Sequence, residues 1–370
     1  MKLLLFASFL LLPVLPGLAY AAPLPPSAKP TVLYSSAILS PEDAEIYLSA
    51  FEHARSQDWQ SVKGLHAQAT DPALADLILW RYVNGAGKNA DLEYMSLALQ
   101  RLADWPYYRR LKINAEAVLA EAPRSHSQII DWFETYEAPI SGKGKIIYAV
   151  ALDGAGQTDD ALRLIKEVWA EHYLSRADEK TILTKFGSKL SQAEHEMRVE
   201  FLLWGRQVGQ VDRIVSLVSS DYRKLIAARK ALIRYSSGVD ALIRAVPDRL
   251  QSNPGLLYER AKWRRQRARN QAGATELLLN IDGKDVPQSG RDNLWKERRL
   301  AVRTALKEKK YDIAYRLAAS HGLSSGLDFA EAEWMAGWIA LRFIDKPEIA
   351  LTRFTHLSEN VGRAISLSRG

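Results

Sequence analysis

The chain contains no cysteine among its 370 residues. That excludes a disulfide framework, a zinc–thiolate site, an iron–sulfur cluster, a lipid-modified N-terminal cysteine and a cysteine nucleophile. It also lacks the alternating Val, Ile and Thr runs that mark strands. Beyond its first twenty residues it has no apolar run that could span a bilayer. No G-x-S-x-G elbow, G-x-x-x-x-G-K-[ST] loop or G-x-G-x-x-G turn occurs, and none of the seven histidines forms an H-E-x-x-H pair. What remains is an ordinary folded composition, 47% hydrophobic and 25% charged, with 50 Lys+Arg against 43 Asp+Glu.

Residues 1–21 read as a secretory signal peptide. Lys2 is the charged start, residues 3–18 are the apolar run, and Ala19-Tyr20-Ala21 is the small-x-small site, with cleavage expected after Ala21. The run is too short for a membrane anchor and is interrupted by Pro13 and Pro16. A proline-rich leader, residues 22–38, follows. The mature chain is expected to be soluble, without a membrane span, and periplasmic in a Gram-negative cell. Loss of Lys2 takes the formal charge from +7 to +6. Export makes nucleic acid an unsuitable partner, so the basic balance points to an anionic envelope polymer or to nothing specific.

Residues 39–370 read as helical throughout. Nine prolines follow Pro30, and each can be placed at a break between helices. Ser40-Pro41-Glu42-Asp43 combines a capping serine, a first-turn proline and two acids matched to the helix dipole. Asp71-Pro72 and Lys346-Pro347-Glu348 look alike. Apolar residues recur at spacings of three and four, as at Leu162, Ile165, Val168 and Trp169. The segment carrying Trp334, Trp338, Ile339, Leu341 and Arg342 is apolar nearly all round, which predicts burial between two neighbours. Fifteen or more helices are expected.

Some helices echo one another. Tyr311-Asp312-Ile313-Ala314-Tyr315 returns as Pro347-Glu348-Ile349-Ala350-Leu351, and Asp160-Ala161-Leu162 returns as Asp240-Ala241-Leu242. The alanine admits a partner helix. Starts predicted near Leu294, Phe329 and Ala364 have a period of about 35 residues, the size of a helix-hairpin repeat. The fold class expected is therefore all-α: a superhelix of helical hairpins, a tetratricopeptide-like α-solenoid, with curvature toward a ring left open. Trp80, Trp132, Trp169, Trp204, Trp334 and Trp338 are assigned to its core.

No catalytic constellation, metal site or cofactor site emerges. Glu194-His195-Glu196 fans over several helix faces and reads as solvated surface. Glu331 and Glu333 stand two apart, about 200° around a helix, and cannot flank one bond. Asp328 and Glu331 share a face, which helix capping explains. The strongest charge feature runs from Glu259 to Arg269 and holds Arg260, Lys262, Arg264, Arg265, Arg267 and Arg269. On one continuous helix, Arg260, Arg264 and Arg267 would line one face, with Lys262, Arg265 and Arg269 beside them. Two readings stand: a solvated face, or a stripe of arginine forks gripping carboxylates.

The last eighty residues carry a resemblance. They include Leu294-Trp295-Lys296-Glu297-Arg298-Arg299, Tyr311 to Ala318, Ser320-His321-Gly322-Leu323, Phe329-Ala330-Glu331-Ala332-Glu333-Trp334 and Ala336-Gly337-Trp338-Ile339-Ala340-Leu341-Arg342-Phe343. This succession resembles the soluble lytic murein transglycosylases in the helical part that precedes their catalytic domain, and covers residues 251–370. The resemblance implies a body that embraces peptidoglycan strands and holds a lysozyme-like domain. In that family a single glutamate cuts between N-acetylmuramic acid and N-acetylglucosamine and leaves a 1,6-anhydro end. That glutamate sits in an E-S-x-F context followed by G-L-M-Q, and neither occurs here. The expectation is a chain truncated before its catalytic domain, without activity of its own. Gly322 is expected in a helix-ending turn, Gly337 at a close helix approach, and His321 as a helix-terminal hydrogen bonder. The alternatives are a free-standing periplasmic adaptor for envelope proteins, and an enzyme with an unrecognised site inside the helices, which a mutation series on Glu331 and Glu333 would reveal.

Overall fold

The computed structural model describes residues 38–121 and 123–361. The expected signal peptide, the leader up to residue 37 and the helix start predicted at Ala364 lie outside them. The described residues form twenty α-helices and no strand. All nine prolines fall outside helix interiors, as the sequence predicts: Pro41, Pro72, Pro254 and Pro347 open helices, and the others lie in connections or at caps. The chain divides into two compact units, Met1–Gly85 and Ala86–Gly370.

The first unit holds α1 (Pro41–Arg55), α2 (Trp59–His66) and α3 (Pro72–Ala86), whose last residue lies past the boundary. Ser40 caps α1 by accepting from the Asp43 amide at 3.1 Å. Asp43 is itself buried. It accepts from the amides of Thr70 (2.9 Å) and Asp71 (3.1 Å) and from the Thr70 hydroxyl (2.7 Å), tying α1 to the start of α3. These bonds hold its carboxyl below the ordinary aspartate value.

The second unit continues with α4 (Leu92–Arg101), α5 (Tyr108–Glu121), α6 (His126–Thr135), α7 (Gly142–Gly154), α8 (Thr158–Glu171), α9 (Arg176–Phe186) and α10 (Gln192–Trp204). Next come α11 (Val208–Ile214), α12 (Ser220–Ile233), α13 (Val239–Arg244), α14 (Asp248–Gln251), α15 (Pro254–Gln266) and α16 (Gln271–Leu279). It closes with α17 (Gln288–Lys307), α18 (Tyr311–Ala319), α19 (Gly326–Phe343) and α20 (Pro347–Glu359). Sequential hairpins pair α7 with α8, α10 with α11, α15 with α16, α17 with α18 and α19 with α20.

One turn builds these hairpins and the α1–α2 pair. Gln57, Gly156, Arg206, Arg269, Lys309 and Asp345 all adopt a left-handed conformation, with φ between +50° and +84°. The next amide reaches back over the end of the first helix: Gln157 N–H to Leu152 O at 2.8 Å, Gln207 to Leu202 at 2.7 Å, Lys310 to Ala305 at 2.8 Å. This is the Schellman pattern, shared by Asp58 and His53, and it satisfies carbonyls the helix end leaves open; after α15 and α19 the amides of Asn270 and Lys346 reach one residue further back, to Arg264 O and Ala340 O. Five residues after each left-handed position sits a small buried residue: Val62, Ala161, Val211, Ala274, Ala314 and Ala350, none more than 2% exposed. The echo between Ala314 and Ala350 is therefore structural. The one between Ala161 and Ala241 is not, because Ala241 is exposed on the short helix α13. Two of the predicted starts also move, α17 opening at Gln288 and α19 at Gly326.

Trp169, Trp204 and Trp295 are fully buried, and Trp132 nearly so, whereas Trp80 is half-buried. The aromatic segment of α19 departs from expectation. Phe329, Ala332, Ala336, Ile339 and Ala340 form its buried face, while Trp334, Leu341 and Phe343 are 36–47% exposed. Small residues make the interior contact, with Gly337 against the ring of Phe354. Trp334 stacks at 5.6 Å on Trp338, which is partly buried and packs against the core, and Phe343 stacks on Tyr311 at 4.8 Å. His195 departs the other way. It is buried under the edge of Trp169, with ring centroids 5.7 Å apart. Glu194 turns back to cap α10 and pairs with Lys166, and Glu196 accepts from Ser219.

Buried charges close helix ends. Arg198 of α10 lies over the Trp169 ring and donates to the carbonyls of Trp169 (3.1 Å) and His172 at the end of α8. Arg298 of α17 donates to Leu278 (3.0 Å) and Ile281 after α16, and to Ser320 after α18. Lys112 of α5 reaches Tyr136 O at 2.6 Å, after α6. Glu116 accepts from the Ile140 and Ser141 amides before α7, at 2.7 and 2.8 Å. Cations thus meet carbonyl ends and an anion meets an amide end, as the helix dipole favours. Burial pushes Arg198 and Arg298 down to about 10, so both remain charged near neutrality. No described helix is long and apolar enough to cross a membrane.

Candidate anion-binding site

The basic run starts on a well-defined helix. Asn253 caps α15 by accepting from the Leu256 amide at 3.0 Å, and Pro254 fills its first turn. The helix ends at Gln266, before the run does. Arg267 caps the end, Arg269 takes the left-handed turn position, and the Asn270 amide reaches back to Arg264 O at 3.0 Å. The six cations therefore do not share one helix surface.

Their surroundings separate them further. Arg265 grips buried Glu297 with two bonds, from Nε at 2.7 Å and from Nη2 at 2.8 Å. That pairing raises its pKa, the Glu297 hydrogen bond being the largest cause. Lys262 is half-buried over the Tyr258 ring, and Arg267 lies over Tyr235 at 5.4 Å. Arg269 is exposed in the turn.

Arg260 and Arg264 form the remaining pair. They line a pocket of ≈ 190 Å³ together with Trp263 and with Asp240, Ile243 and Arg244 of α13. The chain reaches that position through two left-handed residues, Tyr235 and Gly238, which return it from α12 into α13. Arg264 Nη1 donates to Gly273 O at 3.0 Å, which anchors one guanidinium to the start of α16. No carboxylate among the described residues lies within ion-pair distance of Arg244, Arg260 or Arg264. Burial and then the charge of Arg264 lower the pKa of Arg260, and Asp240 offsets this only in part. A small anion in the pocket would add to that offset. Arg244 and Trp263 were not among the sequence candidates. Arg244 ends a six-residue helix whose position depends on two left-handed turns, and no spacing in the sequence announces it.

Glu331 and Glu333 project in different directions, as their spacing requires. Glu331 accepts from Arg299 at 2.7 Å, from Trp295 Nε1 at 3.3 Å and from Arg303 at 3.5 Å, linking α19 to α17. Glu333 is buried, and its Oε1 takes His321 Nε2 at 2.9 Å, His356 Nδ1 at 3.0 Å and Arg353 at 3.3 Å. His321 Nδ1 accepts from the Leu323 amide at 2.9 Å, which places the imidazole proton on Nε2, facing Glu333. Burial alone would raise the Glu333 carboxyl; the His321 bond, Arg353 and His356 outweigh it and hold the group below its ordinary value. The cluster joins the α18–α19 connection, α19 and α20. Among the described residues, no group of three or more His, Asp or Glu is placed to hold a metal.

No family model matches the sequence, and no curated protein matches it. Among solved structures, the chain is similar to the 70-kDa soluble lytic transglycosylase in complex with bulgecin A, at 14% identity and a TM-score of 0.43, over 89% of this chain and 57% of that one. It is also similar to the 70-kDa soluble lytic transglycosylase of Escherichia coli, at 11% identity and a TM-score of 0.43, over 89% of this chain and 67% of that one. The chain thus spans little more than half the length of the first of these proteins.

Proposed function

We propose that this chain is an exported, periplasmic helical-repeat scaffold that binds peptidoglycan strands, acts beside a lytic transglycosylase catalytic domain, and does not itself cut glycan. The observation that carries the binding reading is the pocket where Arg244, Arg260 and Arg264 converge against one carboxylate, Asp240, which is not within ion-pair distance of any of them. Peptidoglycan stem peptides carry carboxylates, which arginine forks recognise. The association with transglycosylase chemistry rests on the residue runs between Leu294 and Phe343. The mature protein is expected to co-sediment with purified sacculi, less so as salt rises, and to release no anhydro-muropeptides. Absence of co-sedimentation at low salt would overturn the binding reading, and release of anhydro ends would overturn the non-catalytic one.

A second reading, an adaptor for envelope proteins, is favoured by a different surface. In the first unit, α1 and α3 enclose an apolar groove of ≈ 910 Å³ lined by Leu39, Tyr47, Leu48, Phe51, Leu74 and Leu77. Periplasmic crosslinking through Leu48 that captures one discrete protein, with no sacculus binding, would favour this reading.

A further inference from the structure

We infer that the pocket between α13 and α15 is a clasp for a single carboxylate on a short aliphatic stem, such as the C-terminal end of a small peptide. The inference rests on the wall-binding reading only for the source of that peptide, and the pocket chemistry stands by itself. Two guanidinium groups, Arg260 and Arg264, reach the pocket from successive turns of one helix, and Arg244 reaches it from α13. Lys262, Arg267 and Arg269 also lack an ion-pair carboxylate among the described residues, but of this run's cations only Arg260 and Arg264 line the pocket. Arg265, one residue further on, already has a bidentate carboxylate in Glu297. The clasp would offer an external carboxylate the same fork that Glu297 receives internally.

Size and walls narrow the ligand. The ≈ 190 Å³ space equals the volume of about six waters, enough for a carboxylate and a few carbons. Trp263 and Ile243 supply apolar walls for the stem. Asp240 also lines the pocket, and its negative charge disfavours a phosphate dianion more than a carboxylate monoanion. Arg264 is pinned by Gly273 O, so part of the fork is oriented before a ligand arrives.

The test is calorimetric titration of the mature protein with N-acetyl-Ala-Ala, with its C-terminal amide, and with methyl phosphate. The free acid is expected to bind at least about tenfold more tightly than the amide or the phosphate. Arg260→Gln with Arg264→Gln should weaken the acid by at least about tenfold. Arg244→Glu, an exposed change that keeps the fold, should abolish binding, and Arg269→Gln, outside the pocket, should leave it unchanged. Equal binding of acid and amide, tighter binding of phosphate, or full affinity in the Arg244→Glu protein would overturn the proposal. If the dipeptide fails while the protein still sediments with sacculi, the clasp is wrong and the wall-binding reading survives. If the dipeptide binds and sacculi do not, the clasp survives without its proposed source.

Discussion

Gly283 and Gly322 meet backbone to backbone. A Cβ on Gly283 would lie 2.4 Å from Ser320 O, and one on Gly322 would lie 2.2 Å from Gly283 O. The Gly283 amide donates to Ser320 O at 3.1 Å, and Gly322 has φ +71°. Gly322→Ala therefore combines left-handed strain with a clash against atoms that cannot rotate away. It is expected to cost about 3 kcal/mol. Gly209→Ala, on α11 with open space around it, serves as the control and should be neutral or slightly stabilising. Urea midpoints of the two variants decide; equal midpoints would refute the close-approach account.

The Glu333 cluster predicts a pH dependence with a definite sign. The carboxyl is held below its ordinary value in the folded protein. Its stabilising contribution is therefore complete above the unfolded glutamate pKa and is lost as pH falls through the depressed folded value. Glu333→Gln should be less stable than the parent by about 3 kcal/mol near neutrality, because buried His321 and half-buried Arg353 exchange an anionic acceptor for a neutral amide whose NH2 end cannot accept. The gap should narrow as pH drops below about 4.3. Thermal unfolding across that range measures it, and a gap independent of pH would count against an ionised Glu333.

The left-handed hairpin turns predict gains as well as losses. Lys309 occupies a φ of +57°, a region where a side chain is disfavoured. Lys309→Gly should raise stability by about 0.5–1 kcal/mol, since relief of strain exceeds the added freedom of the unfolded chain. Gly156→Ala, at φ +84° in the equivalent turn, should lower it by about 1 kcal/mol. Opposite signs at Lys309 and Gly156 are the diagnostic result. A loss at both positions would mean that the turn is held by something other than this cap.

The hairpin architecture was legible because it rests on local rules. Pro41, Pro72, Pro254 and Pro347 open helices wherever the sequence allows it, and Ala314 and Ala350 fill matching gaps. Failures came where a residue's environment is made by a distant segment. His195 looked solvated beside two glutamates, but Trp169 covers it. Trp334 looked like core, yet it lies exposed on α19 and stacks on Trp338, which does pack against the core. The basic run looked continuous because nothing near Gln266 announces a helix end: the left-handed residue there is Arg269, where sequence rules look for glycine. The pocket that organises Arg260 and Arg264 needs Arg244, from a helix whose placement no periodicity encodes.

Arg298 leaves α17 and completes the open carbonyls that follow α16 and α18. The unit that recurs along the chain is a hairpin, but the unit that can stand alone is larger. A fragment cut between α16 and α17 would take the guanidinium away from the carbonyls of Leu278 and Ile281 on one side and leave Arg298 with Ser320 O alone on the other. Evolutionary or engineered exchange of single hairpins is thereby penalised at this junction, and tolerated breakpoints must keep Arg298 with the helix ends it closes.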